Sequence, residues 1–489
     1  FAAGRALARD PGNPEALELR ADAGEAAGRA RDAADALRKR IDLAGSDPRV
    51  GAWKLRLGRL YAETGDAQKA LALLGSLEAI DPSVLMNLAS GARSLPAPDA
   101  IRLYRRLLDL FPAATQPGPS PAQLAEWSEA LGRRLLAEGQ PQAALQAFRL
   151  ALVHEPTNIA ALRHVAELGG SSDGVEAQLA LFEVNPSVEP IRALGKLFEA
   201  QSRPDGAFCA AAVLAGVGAA EPEERTRYEA SSSGPPPAEL PQIADDMAVR
   251  ASSDAGTARD LLAAAAPEIA RALATDMSGR RGALVKGNNP VRRVVAAIAR
   301  ALGMTEPALY LSRTEPGVVA PVAAETPGLL VGSEVPKQWS PRQQRFLYAR
   351  ALAHIRRSTH PIAHLSGPGL ATLVGQIVRL AAPVETDFSN LPPPDPALGE
   401  RLAPHFGQEA RETLSWLAAS IAAEPAPDWE ALALGIRESA ERVALAICGD
   451  PAAAISIVCG EVQGGLDRPE VARLARFAVS EAYLAIRAR

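Results

Sequence analysis

The chain has 489 residues, more than one ordinary core usually holds, so two or more folding units are expected. Its formal net charge is −5 and no long run of one sign occurs, which leaves an extended nucleic-acid surface without electrostatic support. Aromatic residues make up only 4%, so the core must be Ala, Leu and Val on closely approaching helices, and a mainly α protein is expected.

Phe1 already lies in a helical pattern, and the chain is expected to begin inside a longer polypeptide. From there to residue 228, helix-ending prolines recur at Pro11, Pro48, Pro82, Pro112, Pro156, Pro186 and Pro222, spaced by 37, 34, 30, 44, 30 and 36 residues. Within this series LGRLYAETGDAQKALALLGSLEAIDP (57–82) and LGRRLLAEGQPQAALQAFRLALVHEP (131–156) align residue for residue. Each carries Leu-Gly, then Gly65 or Gly139, Ala70 or Ala144, Leu74 or Phe148, and finally Pro82 or Pro156. Gly58 and Gly132 let two helices approach, Gly65 and Gly139 make the turn between them, and the prolines stop the second helix. The pattern resembles the tetratricopeptide repeat, a helical hairpin of about 34 residues. Trp53 and Trp127 stand one residue earlier than that family's tryptophan, and the long interval contains an inserted loop, AATQPGPSP, at 113–121. About six such units over 1–228 are expected, two of them strong.

A hairpin of this kind cannot bury its apolar face alone, so neighbours stack into an α-solenoid. The resemblance implies a groove that takes a protein or peptide partner. Arg59 and Arg133 occupy equivalent positions on the first helices of the two strong repeats, where they would either grip a partner's carboxylates in bidentate fashion or simply face solvent.

EASSSGPPPAELP (229–241) has the composition of a linker, and the boundary to a second domain, 242–489, is placed there. Helices are expected at 242–275 and at 290–302, the latter opened by Asn289 and Pro290. The period then drops to two in ALYLSR (308–313), GVVAPVA (317–323) and GLLVGS (328–333), as in a small sheet. SPRQ at 340–343 opens another helix with a capping box, and SNLPPPDPAL (389–398) separates it from helical sequence to the C-terminus. This half therefore reads as α+β. The longest apolar run, AFCAAAVLAGVGAA (207–220), is too short to span a membrane, and GRRGALVKGNNP (279–290) lacks the order of a phosphate loop. Cys209, Cys448 and Cys459 are odd in number and widely spaced, fitting neither disulfides nor a zinc knuckle.

Three of the six histidines fall within FLYARALAHIRRSTHPIAH (346–364). SPRQQRFLYARALAHIRRSTH and the preceding TPGLLVGSEV resemble the zinc helix and adjacent strand of HExxH metallopeptidases, in particular the HtpX-like and CAAX-prenyl endopeptidase group. With His354 as the second motif histidine, Arg350 stands for the first and Ala351 for the general-base Glu. HExxH chemistry needs two imidazoles on one helix face and a carboxylate beside the bound water. A guanidinium has no lone pair to offer a cation, and an alanine carries no proton. The resemblance places the third-ligand region in RESAERVALAICGD (437–450), where Ser439, beside Glu438, falls at the position of the family's ligand Glu, in agreement with a lost site. A substitute cluster of His354, His360 and His364 is disfavoured, because Pro361 biases His360 away from helical geometry and six residues separate it from His354.

These readings describe a solenoid joined to a metallopeptidase-like domain without its metal or base. The expected role is a non-catalytic scaffold in a larger bacterial assembly, with a cytoplasmic location and no cofactor. An unconventional zinc hydrolase built on His354 is the alternative.

Overall fold

The computed structural model describes residues 2–74, 80–114, 118–234, 239–243, 248–277, 280, 282–324 and 326–488. It divides into two compact units, Phe1–Val184 and Asn185–Arg489.

The first unit is helical throughout: α1 (Ala2–Arg9), α2 (Pro14–Ala26), α3 (Ala30–Asp42), α4 (Val50–Glu63), α5 (Ala67–Leu74), α6 (Pro82–Gly91), α7 (Ala97–Leu110), α8 (Pro121–Ala137), α9 (Pro141–His154), α10 (Ile159–Leu168) and α11 (Ser171–Val184). Among the described residues α2 to α11 pack as five successive hairpins. The small-against-large contact read from the repeat is what joins each strong hairpin. A Cβ on Gly58 would lie 2.7 Å from Leu74 Cγ, and one on Gly132 would lie 2.7 Å from Phe148 Cε1. Gly65 and Gly139 make the turns with φ of +82° and +70°, where a side chain is strained. Leu85, Leu103, Leu124 and Phe148 belong to one core cluster that runs from Ala62 to Leu181. Trp53 is buried under the Arg40 guanidinium, 3.9 Å from its ring centroid, and Glu18 and Asp47 hold that cation.

Pro156 lies in the turn after α9, as expected of a terminator, but Pro82 is the first residue of α6. At that position a proline costs no hydrogen bond, and Asp81 caps the helix by accepting from Ser83 N at 2.9 Å. Part of the proline periodicity therefore marks helix starts. Residues 115–117 of the inserted loop lie outside the described residues; after it, Ser120 and Gln123 form a capping box on α8.

The second unit opens with α12 (Val188–Ala200), α13 (Pro204–Gly216) and α14 (Pro222–Ser232), followed by α15 (Thr257–Ala264) and α16 (Ala266–Ala272). Then come β1 (Gly282–Leu284), α17 (Pro290–Ala301), β2 (Ala308–Ser312), β3 (Val319–Val322), β4 (Gly328–Gly332), α18 (Val335–Gln338) and α19 (Pro341–Arg356). It ends with α20 (Gly367–Ala381), α21 (Pro396–Leu402), α22 (Gln408–Ala423), α23 (Trp429–Cys448), α24 (Pro451–Val462), α25 (Pro469–Ala478) and α26 (Glu481–Arg487). Among the described residues the expected helix over 242–275 forms as α15 and α16, and the segment read as a linker begins inside α14. Residues 235–238 and 244–247 are outside the described set.

The α12–α13 hairpin, expected to belong to the solenoid, is grouped with the second unit. Residues Gly206 to Leu214 are all buried. A Cβ on Gly216 would come within 3.0 Å of Ala452 Cα on α24. This explains the uniformly apolar 207–220 run: α13 has neighbours all round.

The sheet has the order β1-β2-β4-β3, with β2 and β4 parallel and the outer pairs antiparallel. β1 is three residues long and carried no periodic signal in the sequence. At the other edge Gly332 N donates to Val318 O at 2.7 Å, so the ladder's alternation turns Val319 and Pro321 outward. Pro321 has no N–H to offer, and Thr275 takes both backbone groups of Ala323, at 2.8 Å and 3.0 Å. That edge is thereby blunted against further strand pairing. α19 starts with the expected capping box between Ser340 and Gln343. No helix among the described residues is long and apolar enough to cross a membrane.

Candidate functional site

Two places concentrate the residues singled out by the sequence. In the first unit, the first helices of successive hairpins border open depressions. One, of about 760 Å³, lies between α6 and α8, with Trp127 and Tyr104 in its floor and Arg93, Arg133, Arg134 and Glu126 along its walls. Another, of about 570 Å³, is bordered by α4 and the end of α2 and includes Arg59, Arg56, Glu25 and Glu63. Arg59 and Arg133 are both exposed and line different depressions. Arg133 is ion-paired with Glu129, one turn earlier on its own helix. Arg134 donates to Arg93 O at 2.9 Å, tying the end of α8 to the turn after α6.

In the second unit, α19 packs lengthwise against α23. Arg350 projects from α19 between α23 and α24. Its guanidinium donates to both carboxylate oxygens of Glu461, one at 2.7 Å, and lies 3.6 Å from Glu441 Oε1. Burial works against that charge, but the hydrogen bonds it donates to Glu461 and the fields of Glu461 and Glu441 outweigh it, so Arg350 is held more firmly protonated than usual. Glu441 is only 7% exposed, and burial pushes its carboxyl up to about 7 despite the opposing pull of Arg350.

One turn after Arg350, His354 is buried at the end of α19. Its Nδ1 shares a hydrogen bond with Thr359 Oγ1 at 2.9 Å, and its carbonyl accepts from Thr359 N and His360 N at 2.9 Å and 3.1 Å. Burial first, and then Arg350 and Arg357, lower its pKa to about 3. His354 is therefore a neutral imidazole that closes the turn after the helix. His360 is also buried, its pKa lowered by burial to about 4, and neither ring nitrogen has a hydrogen-bond partner among the described residues. His364 is exposed. His360 and His364 share the wall of a cleft of about 620 Å³ beside β3, which His354 does not line.

Among the described residues no group of three or more His, Cys, Asp or Glu side chains is placed to hold a metal ion. The residues present do not fit the zinc that the HExxH resemblance implies. Where the first imidazole would stand, a fixed cation fills the space and is already neutralised, and Ala351 is buried without any proton-accepting group. At the position the resemblance gives the third ligand, Ser439 Oγ accepts from Ala251 N at 2.9 Å, and its neighbour Glu438 pairs with Arg442 and Arg473. Glu441 is the α23 residue that faces Arg350. Sequence reasoning did not single out Glu441, which sits in a stretch of α23 buried from Glu438 to Cys448 apart from Arg442.

No protein-family model matches the chain, and no curated protein matches it. Among solved structures, MamA aligns over 45% of this chain and 92% of its own at 15% identity, with a TM-score of 0.19. PilW, a widely conserved type IV pilus biogenesis factor, aligns over 46% and 86% at 15% identity and a TM-score of 0.21. A tetratricopeptide repeat protein from Parabacteroides merdae aligns over 45% and 87% at 17% identity and a TM-score of 0.24. At such TM-scores these alignments carry no weight for fold or function.

Proposed function

We propose that the chain is a non-catalytic scaffold: a tetratricopeptide-type stack that receives a segment of a partner protein, followed by a metallopeptidase-like unit that no longer cleaves. The observation that carries the non-catalytic reading is the guanidinium of Arg350, clamped by Glu461 and Glu441 one turn before His354. The binding reading is supported by the depressions between successive first helices: one sets the exposed Arg133 beside Tyr104 and Trp127, and the other sets the exposed Arg59 beside Leu55 and Leu60. Their partner would present carboxylates to those arginines within a larger bacterial assembly. A cytoplasmic location is part of the proposal, supported by three free cysteines in the chain.

The test is twofold. Purified full-length chain incubated with zinc and desalted should retain no stoichiometric metal; one equivalent that disappears in His354→Ala would overturn the non-catalytic reading in favour of a zinc hydrolase. Affinity capture with the full chain should retain a protein partner, and the double variant Arg59→Glu/Arg133→Glu should lose it at least tenfold. Equal retention by that variant would remove these two arginines from the interface.

A further inference from the structure

The second unit contains a cavity of about 720 Å³ that neither the stack nor the α19 centre uses. It lies among the start of α13, the end of α14 with Gly234 and residues 239–241, the first turns of α19, the end of α23 and the end of α26. Phe208, Leu240, Ile447 and Ile486 contribute its apolar walls. Three guanidiniums also line it, and two of them are already neutralised. Arg342 is paired with the fully buried Asp450 at 3.5 Å and donates to the carbonyls of Ser232 and Gly234. Arg487 is held by Asp205 at 2.7 Å and donates to Gly449 O.

The third, Arg345, has neither an ion pair nor a hydrogen-bond partner among the described residues, although it is more than half-buried. Burial lowers its pKa; the Cys448 sulfur opposes this only in part, and Arg342 one turn away adds to the lowering. The remaining polar groups around the cavity do not supply a counter-charge. The Cys448 thiol donates to Arg342 O at 3.2 Å and burial pushes its pKa up to about 12, so it stays neutral. Glu239 is exposed at the rim and not bonded to Arg345. A part-buried guanidinium without an anion is costly, and the space beside it suits a small molecule.

We propose that this cavity binds a small amphiphilic monocarboxylate, its carboxylate forked by Arg345 and its hydrocarbon body lying against Phe208, Leu240, Ile447 and Ile486. A single unsatisfied positive charge next to Glu239 favours a monoanion over a phosphate dianion, and the apolar walls favour a tail.

Isothermal titration calorimetry of the full chain with octanoate tests this. Octanoate should bind saturably at one equivalent, at least tenfold more tightly than octanamide, which lacks the charge, or inorganic phosphate, which lacks the tail. Arg345→Gln should weaken octanoate at least tenfold, with a cooperative circular-dichroism melt no lower than the parent's showing that it folds. Arg345→Lys should give an intermediate loss, and Glu239→Gln should tighten binding. No saturable binding, phosphate binding as tightly as octanoate, or equal affinity in a folded Arg345→Gln variant would overturn the proposal.

Discussion

A single hydrogen atom in place of a methyl group at Gly132 sets how closely α8 and α9 pack. Adding a Cβ would drive it to 2.7 Å from the Phe148 ring, and because Phe148 is fully buried the ring has nowhere to turn. Gly132→Ala should therefore destabilise by about 1 to 3 kcal/mol, the usual cost of overpacking. Gly139→Ala meets no neighbour and should cost only about 1 kcal/mol, through its left-handed backbone. Denaturant midpoints of the two variants check the order; a larger loss for Gly139→Ala would contradict it. These positions were legible in the sequence because the repeat places glycine and its large partner at fixed offsets. Glu441 and Glu461 were not, since a carboxylate on a helix gives the same local signal whether it meets solvent or a buried cation on another helix.

At the scale of elements, Arg350 fastens α19 to α23 and α24. Arg350→Met should cost about 2 kcal/mol at neutral pH, less than the loss of a fully buried pair because Glu461 is 46% exposed. Glu441 makes the cost depend on pH. Its folded pKa of about 7 lies above the ordinary 4.5, so its contribution to stability is full at low pH and is lost as pH rises through 7. At about 1.4 kcal/mol per unit, Glu441→Gln should gain on the parent by about 2 kcal/mol between pH 5 and 8. His354 and His360 act in the opposite sense. Their folded values of about 3 and 4 lie below 6.5, so their contribution is present above pH 6.5 and is lost as pH falls through the folded values. Urea midpoints at pH 5 and pH 8 separate the two effects. A difference between parent and Glu441→Gln that does not change with pH would mean that Arg350 keeps Glu441 ionised throughout.

For the molecule as a whole, the position of the α12–α13 hairpin decides where the chain can be divided. α13 buries its small residues against α24, Arg203 makes two hydrogen bonds to Glu481 at 2.7 Å, and Tyr228 approaches Asp450 at 3.3 Å. A fragment spanning 185–489 should melt cooperatively, whereas 242–489 should expose the apolar face of α24 and aggregate or lose its transition. Calorimetry of the two fragments checks this, and a cooperative 242–489 would restore the boundary at the Ser/Gly/Pro segment. Composition reads 229–241 as a connector, but its first four residues finish α14 and 235–238 lie outside the described residues. Composition does not say which core α13 joins, because that depends on partners more than two hundred residues away. The same arrangement restricts how the gene can change length. Duplicating or deleting a unit among α2 to α11 adds or removes one stacked pair, but α12–α13 is bound by complementary surface to α24 to α26, so copy number is free to drift only ahead of it.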